Sequence, residues 1–244
     1  MLKTVAKPDE EIFAAIENAR AVGIVSCGIC ALLSGTGGAP GAAAMSRLVS
    51  SWGKKVLFAQ VIIPCCSPRV MQMALDSCLA KSHSPCDAIL CLSCASGVKS
   101  AFMCSRGLPV VAALDTVGPR IIGSHEGLVA QTHCEGCGKC VLTYTAGICP
   151  VDGCTQKRKY GPCPKAPKTP GSCAVDPSRQ CIWQAILAAT GPDMQKGLAA
   201  LQKREAAPAN PIPAGFQPPD WTKTTFAWVL SRSKPFAWVI NLLK

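Results

Sequence analysis

Apolar runs alternate with amphipathic stretches through the first half of the chain. Residues 8–20 begin with Pro8 and three acidic residues, and they place Ile12, Phe13 and Ile16 along one face, which predicts a capped amphipathic helix. Four apolar runs follow, separated by Ala-, Met- and Ser-rich stretches with helical character. This alternation is typical of a parallel sheet with crossover helices. The runs lie at residues 21–27, 55–63, 87–94 and 108–116.

The second half of the chain has a different character. Residues 130–182 carry eight cysteines among Gly, Pro and Lys, so we expect this segment to lack a conventional core and to be held by metal. Residues 181–201 predict two helices with a break at Gly191-Pro192, and residues 205–220 predict a partly extended linker. We therefore expect an α/β fold with a flavodoxin- or Rossmann-like domain at 1–125, a cysteine-rich domain with helices at 126–204, and a tail at 205–244.

The predicted tail repeats a short apolar unit, FAWV, at residues 226–229 and 236–239. Neither unit reaches the roughly 20 apolar residues that a transmembrane helix needs. The aromatic segments therefore have three interpretations: docking on a partner subunit, lying on a membrane surface, or packing back on their own domain. We favour docking, because exposed aromatic patches are typical of interfaces.

Composition narrows the classes of function. The chain has 17 cysteines, an odd number, and its first residues lack the apolar core of a signal peptide, so we expect a cytoplasmic protein with metal or redox chemistry rather than disulfides. A net charge of +11 favours an acidic partner. Nucleic acid is disfavoured, because the few aromatic residues are not interleaved with basic ones. No pattern of catalytic acid and base residues stands out, so we expect substrate chemistry to occur in another subunit.

Cysteines follow three of the four apolar runs. Cys27 and Cys30 follow the first run, Cys65 and Cys66 the second, and Cys94 ends the third. Because parallel strands end at the same edge of a sheet, these soft ligands can converge on one point. A redox dithiol formed by the CxxC pair alone is the alternative, which the additional cysteines at other strand ends disfavour.

Two further groups of four cysteines lie in the second half. Three cysteines at CxxCxxC spacing, followed after eight residues by a cysteine and a proline, have nearly the spacing of bacterial ferredoxins. The next four are numerous enough for a second tetrathiolate site, for which structural zinc is the alternative to an iron-sulfur cluster. The first group is Cys134, Cys137, Cys140 and Cys149, and the second is Cys154, Cys163, Cys173 and Cys181.

These motifs, in this order, resemble the methylenetetrahydrofolate reductase C-terminal domain family. The resemblance rests on CEGCGKC at 134–140, TAGICP at 145–150, the cysteines up to Cys181-Ile-Trp183, and the SCGIC, SCASG and LDT segments of the first half. It implies an iron-sulfur small subunit of an anaerobic two-subunit reductase in one-carbon metabolism. Such a subunit would hold two or three [4Fe–4S] clusters and exchange electrons with the flavin of a separate catalytic subunit.

The chain departs from the family pattern at two places. Ser34 stands where a cysteine is usual, and Pro164 follows Cys163 where a glycine is usual. The amino-terminal site would then use Cys27, Cys30, Cys94 and one of Cys65 or Cys66, and we favour Cys66.

We therefore expect a non-catalytic electron-transfer subunit of a methylenetetrahydrofolate reductase complex, which relays electrons from an external donor. Two alternatives stay open. One is an iron-sulfur subunit of another flavin, corrinoid or heterodisulfide-type complex, and the other is a zinc-stabilised interaction module.

Overall fold

The computed structural model describes residues 2–117, 134–167, 171–191 and 193–204. These residues form two compact units, divided between Cys140 and Val141. The boundary predicted between residues 125 and 126 lies outside the described residues, and so does the predicted linker and aromatic tail at 205–244.

The first unit contains six strands and five helices among its described residues. In chain order they are β1 (Lys3–Ala6), α1 (Asp9–Ala15), β2 (Ala21–Cys27), α2 (Cys30–Leu33), α3 (Gly38–Ser51), β3 (Lys55–Ile62), α4 (Pro68–Lys81), β4 (Ala88–Leu92), α5 (Ala95–Cys104), β5 (Val110–Ala112) and β6 (Leu114–Val117).

A four-stranded parallel sheet in the order β3-β2-β4-β5 forms the centre of this unit, which confirms the predicted α/β class. All residues of β2 and β4 are buried, as expected of central strands that are covered on both faces. The chain passes from β2 outward to β3 and then crosses back to β4. The carboxyl ends of β2 and β4 therefore flank the point where the strand order reverses, which is where open α/β sheets bind ligands.

The strand register brings the cysteine-bearing ends of the sheet to one level. Cys27, the last residue of β2, pairs with Ile62 at the end of β3. Ser26 pairs with Leu92, the last residue of β4. The segments that follow these three strands, which carry the predicted ligands, therefore leave the sheet side by side.

The structure differs from the sequence prediction at the borders of this sheet. The fourth apolar run divides at Ala113 into β5 and β6, and β6 pairs antiparallel with β1, a strand that the pattern did not predict. Helix α1 is shorter than predicted, and no side chain caps its start at Pro8. Phe13 is 40% exposed and meets the Trp52 ring edge-on instead of entering the core.

The second unit has an apolar core of its own. Its elements are a 3₁₀ turn (Leu142–Tyr144), α6 (Pro150–Gly153), α7 (Ile182–Ala189) and α8 (Asp193–Lys203), and the last two confirm the predicted helix pair. The buried core consists of Val141, Cys181, Trp183, Ile186, Met194, Leu198 and Leu201. The sequence analysis expected residues 130–182 to lack a conventional core. The described part of this segment instead packs against apolar residues, most of which follow it in sequence. None of the helices described in either unit is long and apolar enough to cross a membrane.

A buried ion pair fastens the CxxCxxC loop to the first unit. The Lys7 ammonium lies 3.0 Å from Asp115 Oδ1 and donates to the Cys140 carbonyl at 3.0 Å, and it also contacts Glu11. Asp115 Oδ1 accepts the Cys140 N–H at 2.7 Å. Burial alone would lower the pKa of Lys7, but the charges of Asp115, Glu11 and Cys140 outweigh it and raise that pKa. The lysine is therefore charged, and the pair holds both backbone groups of Cys140.

Replacing the central tryptophan of the second unit tests whether its core contributes stability. Trp183 is 1% exposed, and its indole N–H donates to the Arg158 carbonyl at 2.9 Å. We expect Trp183→Ala to destabilise this unit by about 3–5 kcal/mol, since it leaves a cavity and an unpaired carbonyl. Hydrogen exchange of the α7 and α8 amides measures the effect. Leu187→Ala, on the same helix but 36% exposed, is the control and should have a much smaller effect.

Substitution of Lys7 should reduce the stability of the fold far more than substitution of a basic residue in an exposed ion pair. Lys7→Met leaves the Asp115 carboxylate buried without its counter-charge, which we expect to cost about 3–5 kcal/mol. The matched control is Arg106→Met, because Arg106 pairs with Asp76 at 2.8 Å but is 68% exposed; its loss should cost less than about 1 kcal/mol. Denaturant midpoints of the two variants provide the comparison, and equal midpoints would contradict the assigned role of Lys7.

Candidate functional site

Four thiols from three strand ends form a continuous chain of contacts at the carboxyl edge of the parallel sheet. The Cys27 sulfur is in hydrogen-bond contact with the thiols of Cys30 and Cys65. Cys30 also contacts Cys94. Cys27, Cys65 and Cys94 are at most 4% exposed. The structure therefore brings together the predicted ligands that follow β2, β3 and β4.

The contacts within this thiol chain lower the pKa of two cysteines and raise the pKa of the other two. Hydrogen bonds from Cys30 and then Cys65 hold the pKa of Cys27 well below its usual range, and the contact with Cys30 lowers the pKa of Cys94. The pKa values of Cys30 and Cys65 are raised, first by the contact with Cys27 and then by burial. The two cysteines with lowered pKa values are thus Cys27 and Cys94, which lie at the reversal point of the strand order.

Backbone N–H groups also point at these two sulfurs. Cys27 accepts hydrogen bonds from the N–H groups of Ile29 and Cys65. Cys94 is the residue before α5 and makes no side-chain capping hydrogen bond, but the nearby backbone N–H groups of Gly97 and Ser96 contribute to lowering its pKa. Hydrogen bonds to sulfur and a helix amino terminus both stabilise the charged form of a thiol. The local backbone is therefore arranged to favour thiolates.

Of the two adjacent cysteines after β3, Cys65 lies in the thiol chain. Cys65 is fully buried and contacts Cys27. Cys66 is partly exposed. Its pKa is raised to about 12, mainly by burial and then by the nearby charges of Cys94 and Cys27, and neither of these two cysteines forms a hydrogen bond with it. The structure thus places Cys65 in the thiol chain, whereas the sequence analysis favoured Cys66 for this site.

Gly97 allows the segments after β3 and β4 to approach each other. A Cβ atom at this position would lie 2.8 Å from Cys65 Cβ and 2.1 Å from Ser93 Oγ. Only glycine fits there without moving one of these groups. The thiol chain therefore depends on a residue that has no ligand chemistry of its own.

The segment after Cys30 has a structural role in the first unit. Gly38 has a φ of +64° and begins α3. Ser34 Oγ accepts a hydrogen bond from the Thr4 N–H at 3.1 Å. The Thr4 hydroxyl in turn contacts the Thr36 hydroxyl at 2.7 Å. These hydrogen bonds attach the loop to β1.

The CxxCxxC loop begins at Cys134 and ends at the anchored Cys140. Gly136 and Gly138 both have positive φ values, so the loop turns at each of the two spacers between cysteines. Cys137 is exposed and forms an isolated bridge with Val117 at the end of β6, while Gly138 N–H donates to the Thr116 carbonyl at 2.9 Å. The fourth member of this predicted group, Cys149, caps α6 in the second unit.

The second group of four cysteines lines a single pocket in the second unit. Cys154, at the end of α6, and Cys163, in the following loop, lie on its wall together with Cys173 and Cys181. Thr155, Gln180 and Trp183 complete much of the lining. Four cysteines spaced over 28 positions of sequence therefore line one pocket.

A short hairpin brings Cys173 and Cys181 to this pocket. Ser172 pairs with Gln180, Cys173 N–H donates to the Arg179 carbonyl at 2.7 Å, and Cys181 N–H donates to the Gly171 carbonyl at 3.0 Å. The Cys173 sulfur accepts from the N–H groups of Val175 and Asp176 and from the Thr155 hydroxyl, which together lower its pKa. Cys173 therefore has the same kind of thiolate-stabilising surroundings as Cys27 and Cys94.

Four cysteines lie outside these groups, and the sequence analysis assigned them packing roles. Cys91 is fully buried in the sheet, and Cys104 Sγ donates to the Pro68 carbonyl at 3.3 Å. Cys86 Sγ donates to the Ala88 carbonyl at 3.2 Å, and Cys78 lies partly buried on α4. Across the described ranges, no group of three or more His, Cys, Asp or Glu side chains has an arrangement that could hold a metal ion.

Two supporting residues were not identified as such from the sequence. Lys7 lies between a short strand and a helix, and nothing in the local pattern distinguishes it from a surface lysine. Gly97 lies inside a helical stretch, where an isolated glycine often indicates close packing, and this signal could have identified it.

Comparison with known families supports the resemblance for part of the chain. Residues 113–206 match the family model described as methylene-tetrahydrofolate reductase C terminal. No curated protein and no solved structure matches the chain. The matched stretch includes β6, the CxxCxxC loop and the described second unit, and it connects this part of the chain with methylenetetrahydrofolate reductases.

Proposed function

We propose that this chain is the iron-sulfur electron-transfer subunit of a methylenetetrahydrofolate reductase complex. It relays electrons between an external donor and the flavin of a catalytic partner subunit. The observation that carries the proposal is the pocket lined by Cys154, Cys163, Cys173 and Cys181, which lies inside the stretch that matches the reductase family. The thiol chain of the first unit supports it independently.

The residues present at both sites fit iron-sulfur clusters in their chemistry. Cysteine thiolates are the usual ligands of [4Fe–4S] clusters. At Cys27, Cys94 and Cys173, backbone N–H groups already stabilise the thiolate form that such ligation requires. Cys27, Cys30, Cys65 and Cys94 would hold one cluster, and the four pocket cysteines would hold another. A bound cluster supplies one-electron storage at a potential that its surroundings set.

The protein's own groups would tune this chemistry in two ways. Burial of Cys27, Cys65 and Cys94 excludes water from the sulfurs, which makes addition of negative charge less favourable. The N–H groups of Ile29, Ser96 and Gly97 act in the opposite sense, because they stabilise negative charge on sulfur. The balance of the two determines how readily the site accepts an electron.

The remaining CxxCxxC motif would contribute three further thiolates. The Lys7–Asp115 pair fixes both backbone groups of Cys140, so the third cysteine has a defined position before any cluster binds. The buried positive charge of Lys7 lies close enough to Cys140 to influence its sulfur. Such a charge would make reduction of a nearby cluster more favourable.

The charge of the chain suits a subunit that docks on acidic proteins. A net charge of +11 raises the rate of encounter with partners of opposite charge. The flavin and the folate substrate would bind to the catalytic partner, and this chain would supply electrons to it.

Anaerobic purification of the full chain, followed by iron, sulfide and zinc quantitation, tests the proposal. We expect iron and sulfide in equal amounts, in multiples of four per chain. The reduced protein should then reduce the flavin of a co-purifying methylenetetrahydrofolate reductase subunit. A colourless preparation with zinc in place of iron would overturn the proposal in favour of a zinc-stabilised module. Iron-sulfur protein that co-purifies with a different redox enzyme would overturn the choice of partner.

Substitution of one pocket cysteine should remove one cluster. In Cys173→Ser, the hydroxyl is a poor replacement for the thiolate that Val175 and Asp176 stabilise, so we expect iron and sulfide to fall by the content of one cluster. Cys104→Ser is the control, because Cys104 is buried and bonded to a backbone carbonyl but lines no part of the pocket. Equal iron content in the two variants would contradict the assignment of the pocket.

The two adjacent cysteines after β3 provide a matched pair for the first site. We expect Cys65→Ser to lose the iron of this site, because Cys65 contacts Cys27, and Cys66→Ser to retain it. Iron analysis of both variants, with electron paramagnetic resonance of the reduced protein, measures the difference. The reverse result would make Cys66 the ligand and would contradict the geometry.

A further inference from the structure

A buried hydroxyl group lies beside the thiol chain of the first unit. Ser93 follows β4 and directly precedes Cys94, and it is 1% exposed. Its Oγ makes no hydrogen bond to any group in the described part of the chain. The position of a Cβ at Gly97 would be 2.1 Å from this oxygen and 2.8 Å from Cys65 Cβ. Ser93 Oγ therefore lies next to two of the four cysteines.

A buried hydroxyl without a partner is an exception in folded proteins. Removing the group from water costs free energy that a hydrogen bond normally offsets, so each such group requires an explanation. Two cysteines of the thiol chain are close by, because Cys94 directly follows Ser93 and Cys65 Cβ lies 2.8 Å from the same Cβ position at Gly97 that is 2.1 Å from Ser93 Oγ. Thiolate and inorganic sulfide are both hydrogen-bond acceptors, and hydrogen bonds to sulfur are among the interactions that set cluster potentials.

The neighbouring strand supplies a direct comparison. Ser26 precedes Cys27 at the end of β2, just as Ser93 precedes Cys94 after β4, and it is also fully buried. The Ser26 hydroxyl, however, donates to the Gly38 carbonyl at 3.0 Å. Each of these serines precedes a cysteine of the thiol chain, and within the described ranges the Ser26 hydroxyl has a hydrogen-bond partner whereas the Ser93 hydroxyl has none.

We propose that the Ser93 hydroxyl donates a hydrogen bond to a sulfur of the cluster held by Cys27, Cys30, Cys65 and Cys94, and that it raises the reduction potential of this cluster. The inference rests on the proposed function and adds a specific residue to it. The reduced cluster carries one more negative charge than the oxidised cluster, so a donor to sulfur stabilises the reduced form more. Ser93 thereby makes this site a better electron acceptor.

The test compares Ser93→Ala with Ser26→Ala in the full chain, purified without oxygen. Potentiometric titration followed by electron paramagnetic resonance gives the midpoint potential of each cluster, and the signal that Cys27→Ser abolishes identifies the amino-terminal one. We expect Ser93→Ala to shift this midpoint to a more negative value and Ser26→Ala to leave it unchanged. Resonance Raman bands of the cluster should also lose part of their shift between H₂O and D₂O in Ser93→Ala alone.

Results that contradict the proposed function can be distinguished from results that contradict only the role of Ser93. Iron-free protein overturns the proposed function and this inference with it. An iron-loaded Ser93→Ala variant with the same midpoint and the same isotope shift as the unaltered protein overturns this inference only. If Ser93→Ala loses the iron of the amino-terminal site, Ser93→Thr, which keeps the hydroxyl, is expected to retain both iron and midpoint. Loss of iron in both variants would mean that Ser93 acts through packing, and would overturn the inference.

Discussion

The direction of the strands is the constraint on which the amino-terminal site depends. In a parallel sheet every strand ends at the same edge, so residues far apart in sequence become neighbours when each follows a strand. Cys27, Cys65 and Cys94 are separated by 38 and 29 positions, yet they belong to one chain of contacts. No loop has to be long or unusual for this to occur. The backbone hydrogen bonds of the sheet itself fix the places from which the thiols project.

The second unit brings its cysteines together by different means. A helical turn, a loop and a small hairpin present four of its five cysteines to one pocket, and a core centred on Trp183 supports them. The sequence analysis assigned stability there to metal alone, because residues 130–182 contain few apolar runs. The apolar contribution comes mainly from α7 and α8, so folding of this unit combines burial of nonpolar side chains with any stabilisation by a bound group.

The features that could be predicted from sequence are those with a repeating local signal. The alternation of apolar runs identified the parallel sheet, and the Gly191-Pro192 break separated α7 from α8. Three features had no such signal. Strand β1 exists because it pairs with β6, a partner more than a hundred positions away. The position of Cys65 rather than Cys66 beside Cys27 depends on backbone direction after β3, and the role of Lys7 depends on the distant Asp115 and Cys140.

The pairing of β1 with β6 has a consequence for synthesis of the chain on the ribosome. Thr4 pairs with Thr116, and Lys7 reaches Asp115 and Cys140. Because translation proceeds from the amino terminus, β1 and Lys7 emerge long before their partners and cannot take their final places until residue 140 has left the exit tunnel. The contacts that anchor the CxxCxxC loop can thus form only late in synthesis. Any group that binds to this loop would encounter an α/β sheet whose central strands have already been translated.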